Sequence, residues 1–89
     1  MEKDHYYLMK SSSGTFSEYF KIVDRTENIF KISGFDIVRN KNNSLVMYKF
    51  NLYDLTENSL NFAKRNFQII EIDKNLFEKV SKIYNFFNP

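Results

Sequence analysis

The stretch that most narrows the fold is FQIIEIDKNLFEKVSKIYNFF, Phe67 to Phe87, which reads as a strand running directly into an amphipathic helix. Leu76, Val80, Ile83 and Phe87 step by four, three and four residues, and Phe77 and Tyr84 widen the same stripe. That is the period of a helix with one apolar face, and the face is expected to lie on a core. Asp73 is the expected N-cap, since its short carboxylate can accept from a free backbone N–H and sits at the positive end of the helix dipole. Ile72 and Phe77 occupy the positions of a hydrophobic staple around it. Glu78 and Lys82 are spaced for an i,i+4 pair on the wet side. Asn88-Pro89 is expected to end the helix, because the residue before proline avoids the α region. Upstream, Phe67, Ile69, Ile70 and Ile72 are β-branched or aromatic, which favours a strand.

The chain before this stretch alternates with period two. In Thr15–Val23, Phe16, Phe20 and Ile22 fall on one side and Ser17, Tyr19 and Lys21 on the other. Glu18 breaks the inward row, which places the start of this strand at a sheet margin. In Ile29–Val38 the apolar parity changes at Gly34, from Phe30 and Ile32 to Phe35 and Ile37. A β-bulge or sharp bend at Gly34 would keep all four facing inward. Ser44–Leu55 reads as the longest strand, with Val46, Tyr48, Phe50 and Leu52 inward and Lys49, Asn51 and Tyr53 outward. Tyr6–Met9 reads as a short strand, and Leu60–Ala63 as a short strand or an irregular piece. Ser11–Gly14, Asp24–Asn28 and Arg39–Asn43 have the length and composition of hairpin loops. Connections this short do not permit parallel crossovers. The expected fold is therefore α+β, one domain over residues 1–89, with a mainly antiparallel, curved meander of about five strands and one C-terminal helix on one face.

Composition excludes several function classes. With no cysteine there is no disulfide framework and no thiolate metal site. No apolar run reaches transmembrane length, and Met-Glu-Lys-Asp-His does not resemble a signal peptide, so no membrane and a cytoplasmic location are expected. The net charge of +2 is too even to argue for nucleic acid by itself. Lys, Asn, Ile, Phe and Tyr dominate, residues with AT-rich codons. That points to an AT-rich bacterial genome or one of its phages, the location then being the host cytoplasm.

Catalytic chemistry has few candidates. His5 is the only histidine, in what reads as a loose terminus with no second ligand spaced to share a metal. Nucleophilic triads and cofactor motifs are absent, and Ser11–Gly14 lacks the glycine spacing and lysine of a phosphate loop. Carboxylate-only hydrolysis would need two of Glu18, Asp24, Asp36, Asp54, Glu57 and Glu71 to converge in a pocket. The expectation is a protein that is not an enzyme and takes no cofactor or metal. The residues expected to bind a partner are Tyr19, Lys21, Lys31, Lys49 and Tyr53, which alternation places on the sheet face opposite the helix, with Ser33 and Asn51 beside them. Tyrosine is enriched at protein interfaces, so the partner expected first is another protein, with this chain as inhibitor or adaptor. The alternative is single-stranded nucleic acid, with tyrosines stacking on bases and lysines on phosphates. An edge strand also permits homodimerisation.

Overall fold

The computed structural model describes residues 1–88. Over these the chain forms β1 (Tyr6–Ser11), β2 (Phe16–Arg25), β3 (Ile29–Arg39), β4 (Leu45–Thr56), α1 (Glu57–Asn66), β5 (Phe67–Ile72) and α2 (Lys74–Phe87). The strands make one sheet in the order β4-β3-β2-β1-β5, antiparallel throughout. The fold is α+β, as the alternation and the C-terminal stripe imply.

Two features depart from a plain meander. Leu60–Ala63 is not a strand but the middle of α1, and α1 carries the chain from the edge strand β4 across the sheet to β5 at the other edge. Its start is set locally: the Thr56 hydroxyl accepts from the Ser59 amide at 3.2 Å. Glu57 in the first turn and Lys64 and Arg65 in the last suit the helix dipole. Leu60 and Ala63 are buried, while Phe62 between them is exposed.

Register explains which side chains share a face. Tyr7, Phe20, Gly34 and Phe50 align across β1 to β4, and Ile22 and Ile32 align beside them. This is the α1 face, where Tyr7, Phe20, Ile22 and Ile32 form the buried core with Met9, Phe50, Leu55 and Ile69 packed around it. On the other face Leu8, Tyr19, Phe35 and Lys49 form a row, with Ile37 and Met47 in the next row toward the β3–β4 loop. This face carries α2, whose Phe77 ring lies 4.9 Å from Tyr6 and 5.7 Å from Phe35, and whose Tyr84 ring lies 5.2 Å from Phe35.

The two apolar parities of β3 thus have a different origin from a bulge within that strand. Ile32 faces the α1 side and Phe35 and Ile37 face α2, because both faces of the sheet are covered. The register does slip beside Gly34, but the extra residue is in β4, where Asn51 and Leu52 stand opposite Ser33 alone. Leu52 takes φ 48°, the left-handed region that a branched residue enters only under constraint. A second slip lies at Val23 in β2.

The start of α2 matches its sequence signal. The Asp73 carboxylate accepts from the Leu76 amide at 2.8 Å. Replacing Asp73 with alanine removes that acceptor and is expected to cost about 1 kcal/mol. For a domain of this size that is a fall in Tm of roughly 4–8 °C, read by thermal unfolding. An unchanged Tm would show that the cap does not hold the helix. Lys74, not Lys82, is the cation paired with Glu78, at 3.7 Å. The helix ends at Phe87 with Asn88 as C-cap, and Pro89, the residue expected to stop it, lies outside the described residues.

Candidate functional site

The five residues expected to form one open surface are not brought together. Tyr19, Lys21, Lys31 and Lys49 share a face, but it is the face that carries α2. Tyr53 pairs with Ile32 and so lies on the opposite face, exposed, with its ring edge-on to Phe50 at 6.4 Å. The physical reason is the extra residue at Asn51–Leu52, which inverts the parity of every β4 side chain beyond it. Tyr19 and Tyr53 therefore cannot stack on the same ligand. Two of the lysines are also engaged: Lys31 bonds Asp54 at 3.2 Å, and Lys21 stands 3.9 Å from Asp4 with its ammonium 5.8 Å from the Tyr6 ring centre. Lys49 is exposed at the sheet edge. His5 is not loose, for its two ring nitrogens lie 3.2 Å from Glu2 and 3.2 Å from Glu71.

Two of the concave features among the described residues involve residues singled out in the sequence. The first is a groove of about 800 Å³ between α2 and the outer strands β3 and β4. Its sheet wall is Tyr19, Ile37, Leu45, Val46 and Met47, and its helix wall is Leu76, Lys79, Val80, Ile83 and Phe87 with Asn88 at the end. The groove arises because α2 packs only part of its apolar stripe. Phe77 and Tyr84 meet the rings of Tyr6 and Phe35, and Val80 is buried. Leu76, Ile83 and Phe87 overhang the groove and remain 39%, 49% and 71% exposed. The sequence marks the whole stripe as core; only packing divides it into a covered half and an open half. Tyr19 is the one residue of the expected surface that lines this groove.

The second is a cavity of about 630 Å³ beneath α1, lined by Met9, Glu18, Asp36, Phe50, Tyr53, Leu55, Asn58, Ser59, Phe62, Ala63 and Phe67. Glu18 of β2 and Asp36 of β3 are directly opposed in register, on the face that is otherwise the apolar core. Glu18 is thus not at a sheet margin but in the central strand, flanked by β1 and β3. Burial, then hydrogen bonding to Asp36 and its charge, push the Glu18 carboxyl up to about 9. The Glu18 carboxyl thus keeps its proton through neutral pH. Asp36 Oδ1 is buried with no hydrogen-bond partner among the described residues. No lysine, arginine or histidine lines the cavity to neutralise the pair. The pairing was invisible in the sequence because cross-strand register depends on where the β2–β3 hairpin turns.

Among the described residues no group of three or more His, Cys, Asp or Glu side chains is placed to hold a metal ion. No helix among them is long and apolar enough to cross a membrane. Comparison with known proteins finds no matching family model, no similar curated protein and no similar solved structure.

Proposed function

We propose that the protein is a binding module, an inhibitor or adaptor, that docks on another protein through the groove between α2 and β4. The observation that carries this reading is the open half of the α2 stripe. Leu76, Ile83 and Phe87 stand exposed over Ile37, Leu45 and Met47, a contiguous apolar surface of the kind that marks interaction sites. Rings and branched side chains seated in a concave groove are the usual anchors of a protein interface. The nucleic-acid reading has less support: Tyr19 and Tyr53 occupy opposite faces, and Lys21 and Lys31 have acidic partners.

Ile83→Glu tests the reading. Ile83 is half exposed, so the variant is expected to fold with a Tm within a few degrees of wild type while losing a captured partner. Capture that survives Ile83→Glu removes the groove from the site. Capture that is lost on nuclease treatment, or that falls by roughly 0.7 log units per log unit of salt for each phosphate contacted, favours the single-strand reading.

The Glu18–Asp36 pair favours a second reading, acid–base chemistry on a small molecule, since a carboxyl held protonated at neutral pH can act as a general acid. Turnover of chromogenic esters, phosphates or glycosides by wild type but not by Glu18→Gln would establish it. Turnover by neither removes it for those classes.

A further inference from the structure

The groove adjoins an open strand edge, and the two together specify what kind of protein segment fits. We propose that the occupant is an extended segment that adds as a further strand to β4 over Leu45–Phe50, alternating apolar side chains with acidic ones. This inference rests on the docking reading above.

Backbone comes first. β4 pairs with β3 alone, so its outer N–H and C=O groups have no strand partner. From Leu45 to Phe50 its register against β3 is regular, running from Arg39↔Leu45 to Gly34↔Phe50. Beyond that, Asn51 and Leu52 bulge and Leu52 turns to φ 48°. A bulge bends and twists an edge and so interrupts pairing. An incoming strand therefore has a straight template on the Leu45–Phe50 half only. The bulge also disfavours a second copy of this chain pairing along the whole of β4, because antiparallel pairing of Leu45–Thr56 with itself would bring both bulges to the centre of the ladder.

Side chains come next. Alternate residues of an added strand point to the α2 face, where the groove lies between Leu45 and Met47 of the sheet and Ile83 and Phe87 of the helix. A helix laid in the groove would fill the apolar walls but leave the edge unpaired. An extended segment uses both.

Charge sets the remaining positions. Among the described residues Lys79 is the one charged side chain lining the groove, and Lys49 is exposed on the same face of β4 as Leu45 and Met47. Arg39 and Lys41 stand where the chain enters β4. Neither Lys79 nor Lys49 makes an ion pair among the described residues, whereas Glu78 on α2 already faces Lys74. Acidic side chains are attracted to this rim and basic ones repelled, which selects among segments of equal apolarity.

The test is selection of random twelve-residue peptides displayed on phage against the full chain, followed by synthesis of the most enriched peptide. Two further versions carry N-methyl groups on its odd or on its even residues. The proposal expects enriched peptides to alternate Asp or Glu with apolar residues, and Lys49→Glu with Lys79→Glu to weaken binding about tenfold or more. It also expects one N-methyl set to abolish binding and the other to be tolerated, because only alternate amides of an added strand face β4. Basic or neutral peptides, or two N-methyl sets of equal effect, overturn strand addition. If such peptides still lose binding on Ile83→Glu, docking in the groove stands without it. If no peptide is retained, both readings fall. Sedimentation showing a dimer that Ile83→Glu dissociates would then assign the groove to a second copy.

Discussion

Gly34→Ala is expected to unfold the protein or to lower its Tm by about 12–24 °C. A Cβ at this position would stand 1.9 Å from the Tyr19 carbonyl oxygen and 2.8 Å from the Phe20 Cα. Both are backbone atoms of the neighbouring strand, so no rotamer change relieves the clash; β2 and β3 would have to separate. Overpacking ordinarily costs about 1–3 kcal/mol, and a clash with backbone belongs at or above the top of that range. Each kcal/mol moves Tm by roughly 4–8 °C in a domain of this size. The damage would not remain local. Gly34 lies in the row Tyr7–Phe20–Gly34–Phe50, and Phe20 and Tyr7 are half of the buried core. Thermal unfolding followed by circular dichroism reads the result, with Ser33→Ala beside it as a control. A Gly34→Ala protein that melts within a few degrees of wild type would show that β2 and β3 are not this close.

The second large effect is one of pH. Glu18→Gln is expected to be more stable than wild type at pH 8, and indistinguishable from it near pH 4. The sign follows from the direction of the shift. The Glu18 carboxyl ordinarily loses its proton near 4.5, as it does in the unfolded chain, and in the fold it keeps the proton up to about 9. Between those values the native state binds the extra proton, so stability falls as pH rises. The contribution is complete below pH 4.5, declines across the window and is fully lost above 9. One whole proton corresponds to at most about 1.4 kcal/mol per pH unit. Nothing facing the pair offsets this. Across the cavity stand Met9 of β1, Phe50, Tyr53 and Leu55 of β4, Asn58, Ser59, Phe62 and Ala63 of α1 and Phe67 of β5, with no cation among them. Burial also raises the Tyr7 phenol above its usual 10, which adds a further loss of stability at still higher pH. The difference in Tm between wild type and Glu18→Gln, measured from pH 4 to 9, isolates the pair from other titrations. A difference that is constant with pH would show that Glu18 does not keep its proton in the fold.

A natural protein that keeps two acids on its core face retains a destabilising element at neutral pH. An apolar pair of similar volume at these positions is the arrangement that packing alone would favour.

Local patterns were sufficient for much of the fold. The stripe from Leu76 to Phe87, the Asp73 cap and the β-branched run before it locate β5 and α2 within a residue. Period-two alternation locates β2, β3 and β4, and the hairpin-length loops between them make those strands antiparallel neighbours. The helix α1 escaped because its buried surface is only Leu60 and Ala63, while Phe62, the residue that most resembles a strand, points to solvent. Its legible signals were the Thr56 cap and the placement of Glu57, Lys64 and Arg65 at opposite ends.

The candidate site was less legible than the fold, and the reason is register. Alternation tells which residues of one strand share a side, but not which strands will be covered, nor where one extra residue reverses the count. Lys49 and Tyr53 read as one side of β4 until the pair Asn51 and Leu52 separates them. Phe35 and Ile37 read as displaced core residues until α2 is seen to cover their own face.

The sequence by itself determined the fold class, the antiparallel pairing of β2 to β4 and the start of α2, because each depends on residues a few positions apart. Tertiary structure alone decided that β5 crosses to pair with β1, that two helices cover opposite faces, that Glu18 meets Asp36, and that half of the α2 stripe stays open. These depend on contacts between residues distant in the chain, whose energies are set by how whole elements pack and not by the preferences of any one segment.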